Sequence, residues 1–265
     1  MNILTGSIER QIKNLIPSVI KNLIIKFFVN SLCGFIIKKF NFKFNLHNGI
    51  FDYTYVNNLE AASIFFGIWE SAEIRFAKRF AKSKIIVELG SCVGVTFGVL
   101  ANILDKKKFI CVEASKKNYL ILKKLSKLIP KKENLYFFLN NAIYYDSSYV
   151  NFQENTSITS KITPKNLKTN KSYKVKTLKL IDVIKMYSIK EPFTLISDIE
   201  GAEVPIFFED RQSLKLCEMI IVELENTPLK SIKKQVMAIK KIGFKLLEFY
   251  GNVYVFESKT KFAKK

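Results

Sequence analysis

The chain has 265 residues, enough for one large domain with an extension or for two small ones. Hydrophobic residues make up 48%, which excludes a disordered chain, and Cys33, Cys92, Cys111 and Cys217 are too widely spaced for a CxxC metal or redox pair. The formal net charge of +20 points toward polyanions, but only four of the 43 basic residues are arginines, so the lysine excess reads as AT-rich codon usage rather than a designed nucleic-acid footprint.

Residues 1–56 form a basic, hydrophobic extension. Its stretch 19–40 is rich in Ile, Leu and Phe but is interrupted by Lys21, Lys26, Lys38 and Lys39. The longest uncharged run, 27–37, is about half of what a helix needs to cross a bilayer. Two readings stay open for residues 1–45: a basic amphipathic helix in peripheral contact with an anionic membrane, or a helix packed on the domain. No secretory signal is visible, so a reduced, cytoplasmic chain is expected. The only histidine, His47, precedes the predicted core, which argues against a histidine dyad inside it.

The main domain is expected over 57–258, followed by a basic tail at 259–265. Residues 57–82 read as helical, with Ile64, Phe65, Ile68, Ile74 and Phe80 on the apolar side. From Lys84 short β-branched runs alternate with helical stretches. Strands are predicted at 85–89, 109–113, 135–139, 193–198 and 219–224, with helices at 93–104, 116–128, 178–186, 202–214 and 230–242. The polar stretch 151–172 reads as loop. Residues 244–250 and 253–257 flank the turn Gly251-Asn252 and form a terminal hairpin. This alternation implies an α/β fold with a mostly parallel seven-stranded sheet, ending in an antiparallel hairpin.

Chemistry concentrates where strands end. Glu88-Leu-Gly90-Ser91-Cys-Val-Gly94 follows an apolar strand and opens a helix. Its glycines permit a sharp turn and close approach to a ligand, and the helix start offers N–H groups to a carboxylate. Glu88 is placed to meet a cationic amine, so the loop suits an amino-acid end better than a pyrophosphate, and it lacks the Lys-Ser/Thr pair of a P-loop. A tight strand–helix turn is the plainer reading. Glu113 ends the next strand 23 residues beyond Gly90, the spacing at which a nucleotide-binding sheet sets a carboxylate on ribose hydroxyls. Glu113-Ala114-Ser115 also precedes a helix, where an acid is favourable anyway. Asn140-Asn141-Ala142 reads either as an adenine-edge contact or as turn residues. Asp198-Ile-Glu200-Gly201-Ala-Glu203 and Glu223-Leu-Glu225 put acids after the fourth and fifth strands.

Taken together, these motifs resemble the FkbM-type methyltransferases. The resemblance rests on the glycine loop, Val-Glu113-Ala, Asn141-Ala, 178–182, Asp198-Ile-Glu200-Gly201-Ala-Glu203 and Val222-Glu-Leu-Glu225, with Gly67-Ile-Trp69-Glu70 upstream, and covers roughly 60–257. It implies a Rossmann-like class I methyltransferase fold, S-adenosylmethionine as cofactor, and O-methylation of a sugar or another natural-product hydroxyl. Where the family often has Lys before the Asp and His after the fifth-strand acid, this chain has Ser197 and Glu225. Expected cofactor contacts are Glu88, Gly90, Ser91, Gly94, Glu113, Ala114, Asn141, Ala142 and Asp198. Expected catalytic groups are Asp198, Glu200 and Glu225, with Asp198 first as base. A divalent cation on Asp198 and Glu225 is the minority alternative. The expected acceptor is a small molecule or glycan. RNA is the rival that the charge favours, but no Asn-Pro-Pro-aromatic block follows the fourth strand and no RNA-binding module is appended.

Overall fold

A computed structural model describes residues 23, 25–130, 132–154, 160–163, 172–228, 230–260 and 262. Residues 1–22 of the predicted extension, parts of the polar stretch and most of the tail lie outside the described residues.

Among the described residues the helices are α1 (Ser31–Lys39), α2 (Asn58–Phe65), α3 (Ser71–Phe80), α4 (Val95–Ile103), α5 (Lys116–Leu125), α6 (Leu180–Met186), α7 (Val204–Phe208) and α8 (Ile232–Lys241). The strands are β1 (Ile85–Leu89), β2 (Lys108–Val112), β3 (Leu135–Leu139), β4 (Ala142–Ile143), β5 (Tyr149–Glu154), β6 (Ser160–Thr163), β7 (Ser172–Leu178), β8 (Phe193–Ser197), β9 (Cys217–Glu223), β10 (Phe244–Tyr250) and β11 (Val253–Ser258).

A seven-stranded sheet runs in the order β10-β11-β9-β8-β1-β2-β3. β3, β2, β1, β8 and β9 are parallel neighbours, and β11 lies antiparallel between β9 and β10. β1 and β8 are buried along their whole length, which is why their sequences are mostly apolar without alternation, with Glu88, Thr194 and Ser197 the polar positions. Helices cover both faces. One core joins Ile64, Ile74, Phe97 and Phe109, and the other joins Leu180, Phe193, Phe207 and Ile239. The chain winds outward from β1 through β3, then returns to the other side of β1 for β8 and β9. This order, with its reversed last strand, is the Rossmann-like class I methyltransferase fold. The reversal opens a crevice at the carboxyl ends of β1 and β8, where open α/β sheets bind ligands.

Four predictions need correction. The polar stretch 151–172 is not all loop: β5, β6 and β7 join β4 in a four-stranded sheet, β4-β7-β5-β6. Its apolar alternation is short, with Val150, Phe152 and Val175 buried, and Ser, Thr, Asn and Lys dilute it. The helix predicted at 202–214 shrinks to Val204–Phe208, because the segment after it runs through turns to β9. The helix predicted at 178–186 begins at Leu180, since Leu178 ends β7. The single helical stretch 57–82 is two helices, broken where Gly67 and Glu70 take positive φ of 68° and 51°. In the terminal hairpin, Tyr250 pairs with Val253 and Gly251 takes φ of 59°, the glycine position of a two-residue turn.

In the extension, α1 packs on α2 through Gly34, where a Cβ would stand 1.6 Å from the Asn58 carbonyl oxygen, and through buried Ile37. Among the described residues no helix is long and apolar enough to cross a membrane.

Candidate active site

A cleft of about 810 Å³ opens where β1, β2, β8 and β9 end. Its far wall is the β10–β11 turn, and its roof is the segment leading into α3. Gly90 forms the floor. It has φ of 80°, and a Cβ there would stand 1.8 Å from the Asp198 carbonyl oxygen. Any other residue would force β1 and β8 apart at the crevice.

Glu113 comes just after β2, and two backbone donors hold its carboxylate. The Cys92 N–H donates to Oε2 at 2.8 Å and the Ser115 N–H to Oε1 at 2.7 Å. Glu113 therefore links the glycine loop to the start of α5 while lining the cleft. Ala114, Asn141 and Ala142 line the same side. The Asn141 side-chain amide donates to the Lys176 carbonyl at 3.2 Å. Asn140 is not on the cleft: its amide donates to the carbonyls of Glu113 and Ala114, both at 3.0 Å, and pins that turn.

Three loop residues expected at the cofactor lie behind the cleft wall. Glu88 is 4% exposed within the sheet, next to the Cys111 thiol at 3.6 Å. Burial, and then the nearby charges of Glu70 and Glu113, push its carboxyl up to about 8. Ser91 is buried, and its hydroxyl donates to the Glu88 carbonyl at 3.4 Å. Gly94 lets α4 close on α5, since a Cβ there would reach Leu122 at 2.6 Å. These three shape the loop from behind, because a strand's alternate side chains must enter the layer beneath it.

At the start of α4 the Thr96 donors are already taken. Glu70 Oε2 accepts from the Thr96 N–H at 3.1 Å and from its hydroxyl at 2.7 Å, while the Trp69 indole N–H donates to Oε1 at 3.0 Å. Glu70 thus caps one of the N–H groups at the start of α4, and burial raises its carboxyl above the ordinary range.

Asp198 directly follows β8, and its N–H donates to the Leu89 carbonyl at 3.0 Å, which holds it beside Gly90. Burial, joined by the negative charges of Glu223, Glu70, Glu203 and Glu73, raises its carboxyl well above the ordinary range. Glu200 lines the cleft from a left-handed backbone with φ of 56°. Glu203 lies behind, 1% exposed, accepting from the Ile199 N–H at 2.6 Å, and burial lifts it to about 7.

The fifth-strand acid needs a correction. Glu223, not Glu225, lines the cleft. β9 ends at Glu223, and the chain then turns under α8, where the Glu225 carbonyl accepts from the Gln235 side chain at 2.6 Å. Asp198 and Glu225 therefore do not meet across the cleft as a metal pair. Among the described residues no group of three or more His, Cys, Asp or Glu is arranged to hold a metal ion.

Glu73 was missed. It is 8% exposed near the start of α3. Burial first, then the charges of Glu70 and Glu223 and a shared hydrogen bond with Glu223, raise its carboxyl. Glu73 therefore keeps its proton more readily than a solvated glutamate, since like charges in contact cannot both ionise cheaply. The available signal was an acid set among Ala72, Ile74, Phe76 and Ala77 on a buried helix face.

The cleft is thus lined by Glu70, Glu73, Glu113, Asp198, Glu200 and Glu223, with no Lys, Arg or His among the described residues lining it. In a chain of net charge +20 this is an inverted local field. A glycine floor, a strand-end acid and an excess of carboxylates fit a nucleoside carrying a sulfonium.

The Methyltransferase FkbM domain family matches residues 88–251. No curated protein matches the chain. Solved structures similar to it include a putative O-methyltransferase from Klebsiella pneumoniae (10% identity, TM-score 0.42, 71% of this chain and 80% of that one). Also similar are Aeropyrum pernix fibrillarin with natively bound S-adenosylmethionine (10%, 0.40, 66% and 66%) and a putative rRNA methylase from Clostridium thermocellum (12%, 0.43, 71% and 94%).

Proposed function

The chain belongs to the FkbM methyltransferase family, and from that premise we propose that it transfers the methyl group of S-adenosylmethionine to a hydroxyl of a sugar or related natural-product precursor. The observation that carries this reading is the convergence of Gly90, Glu113 and Asp198 at the point where the sheet reverses its winding. The cofactor supplies an already activated methyl group. Glu113, Ala114, Asn141 and Ala142 hold the nucleoside side of the cleft, and Gly90 lets it approach the backbone. Glu70, Glu73, Asp198 and Glu223 line the cleft as well and would supply the carboxyls that suit a sulfonium.

The protein's work is alignment and proton removal. Holding oxygen and methyl in line lowers the barrier by about 7–11 kcal/mol. Asp198 is the first candidate base and Glu200 the second, and Glu223 takes the place expected of Glu225. Burial, followed by the charges of Glu223, Glu70, Glu203 and Glu73, raises the proton affinity of Asp198, which makes its ionised form a stronger base. A cationic group bound in the cleft would favour its ionised form, in which Asp198 can accept the acceptor's proton. The reading is tested by incubating the protein with labelled donor and panels of glycans and RNA. Label on a glycan hydroxyl supports it, and label on RNA alone overturns it.

The extension extends the proposal to a peripheral contact with an anionic membrane. Outward-facing Leu32 and Phe40 are each 69% exposed, Phe35 51% and Ile36 41%, and Lys39 flanks them. So large a contiguous apolar face beside lysine suits an interfacial surface better than water.

A further inference from the structure

Beside the cleft lies a second depression of about 490 Å³, lined by Tyr55, Lys116, Lys117, Leu120, Lys124 and Tyr173 among others. No acid lines it among the described residues. The two depressions share a wall. Ala114 lines the cleft, and Lys116, two residues on, lines the groove. Phe152 lines the cleft, and its ring centroid is 6.0 Å from that of Tyr173 in the groove. The Tyr173 hydroxyl accepts the Lys116 N–H at 3.1 Å, at the start of α5, whose first turn carries no acid. The Lys124 ammonium sits 4.5 Å over the Tyr55 ring and donates to its hydroxyl at 3.1 Å.

The electrostatics of the pair are opposite. Six acidic side chains and no basic one line the cleft, so it disfavours an anion, while three lysines and no acid line the groove, which attracts one. An acceptor lying across the shared wall must therefore be uncharged or cationic at its reacting end and anionic at the other. We infer that the groove holds the phosphate of an acceptor whose hydroxylated end enters the cleft, so that the acceptor class is a sugar phosphate or sugar diphosphate. This rests on the methyltransferase reading above. It goes beyond that reading by assigning Lys116, Lys117 and Lys124, with Tyr55 and Tyr173, to a subsite for the acceptor's anionic end.

The test uses the full chain saturated with S-adenosylhomocysteine and titrated calorimetrically with inorganic pyrophosphate. Three proteins are compared: wild type, Lys116→Gln/Lys117→Gln/Lys124→Gln, and Lys240→Gln/Lys241→Gln/Lys245→Gln, whose three lysines are also exposed but lie outside both depressions. The groove variant is expected to lose about tenfold or more in pyrophosphate affinity, the loss that follows from removing charge-assisted contacts. The control variant should match wild type, and homocysteine-product affinity should be equal in all three. Equal losses in both variants, or none in the groove variant, would overturn the inference and leave only a general lysine effect. Failure of wild type to bind S-adenosylhomocysteine would instead bring down the methyltransferase reading. Two further arms separate the sources of phosphate. Flotation with phosphatidylglycerol vesicles should survive the groove changes; its loss there would make a lipid headgroup the ligand and overturn the assignment. An oligoribonucleotide that binds more tightly than pyrophosphate through the same lysines would overturn it in favour of RNA.

Discussion

The carboxylate of Glu113 accepts the backbone N–H of Cys92 at 2.8 Å, so the acid that ends the second strand is bonded to the glycine loop that follows the first. With the Ser115 N–H on its other oxygen, Glu113 is held at the cleft edge before any ligand arrives. A ligand that bonds this carboxylate meets it in place rather than ordering it.

Glu113→Ala is expected to weaken S-adenosylmethionine binding by roughly 1–3 kcal/mol, the usual cost of leaving buried polar groups unpaired. The same change strands the Cys92 and Ser115 amides, so the melting temperature should fall as well. Calorimetry on a folded variant with unchanged affinity would remove Glu113 from the cofactor site.

Asp198→Asn keeps the size and hydrogen bonding of the side chain but removes its charge and basicity. With Asp198 as the base, the variant binds S-adenosylhomocysteine, which lacks the sulfonium charge, normally and loses about 10²–10⁴-fold in turnover. An affinity loss of similar size would place Asp198 on the cofactor instead. Near-normal turnover in a stable variant would leave it as a residue of the strand–helix turn.

Cofactor binding should release protons. Asp198 and Glu73 are raised by burial and neighbouring acids, and Glu203 stands at about 7. A cation among them favours the ionised forms, so the bound state holds fewer protons than the free state and affinity rises with pH. The rise belongs to the range between Glu203 near 7 and Glu73 near 8. S-adenosylmethionine, which carries the sulfonium charge, should release more protons than S-adenosylhomocysteine, which lacks it. Calorimetry in buffers of different ionisation enthalpy measures both, and equal release would mean that the acids do not sense the sulfonium.

The outer face of α1 should bring the protein to anionic vesicles. Leu32→Ser/Phe35→Ser/Phe40→Ser removes exposed apolar groups without touching buried Gly34 or Ile37. Each large side chain buried in the interface is worth on the order of 1.5–3 kcal/mol, so flotation should be abolished with the melting temperature little changed. Added salt should weaken wild-type flotation by screening the lysines. Flotation intact in the triple variant would place any membrane contact elsewhere.

The sequence by itself determined the layer architecture and the order of its elements. Ile85–Leu89 and Phe193–Ser197 carry apolar residues on both sides because both faces of a parallel sheet are covered, and that pattern is local. Gly90 and Glu113 were legible for the same reason, since a strand end followed by glycine or an acid is read along the chain. Tertiary structure alone decided which acids share the cleft. Glu73 on a helix and Glu223 on the fifth strand are far apart in the chain and meet only when α3 packs against β9. Glu88 and Ser91 belong to the recognisable motif yet turn away from the cleft, while Glu223 replaces Glu225 because β9 ends two residues before it. The small sheet was hidden as well, since its alternation spans only a few residues and its pairing joins segments separated by residues outside those described. Periodicity reports which face of an element is buried; which side chains converge depends on contacts distant in sequence, and no local pattern encodes them.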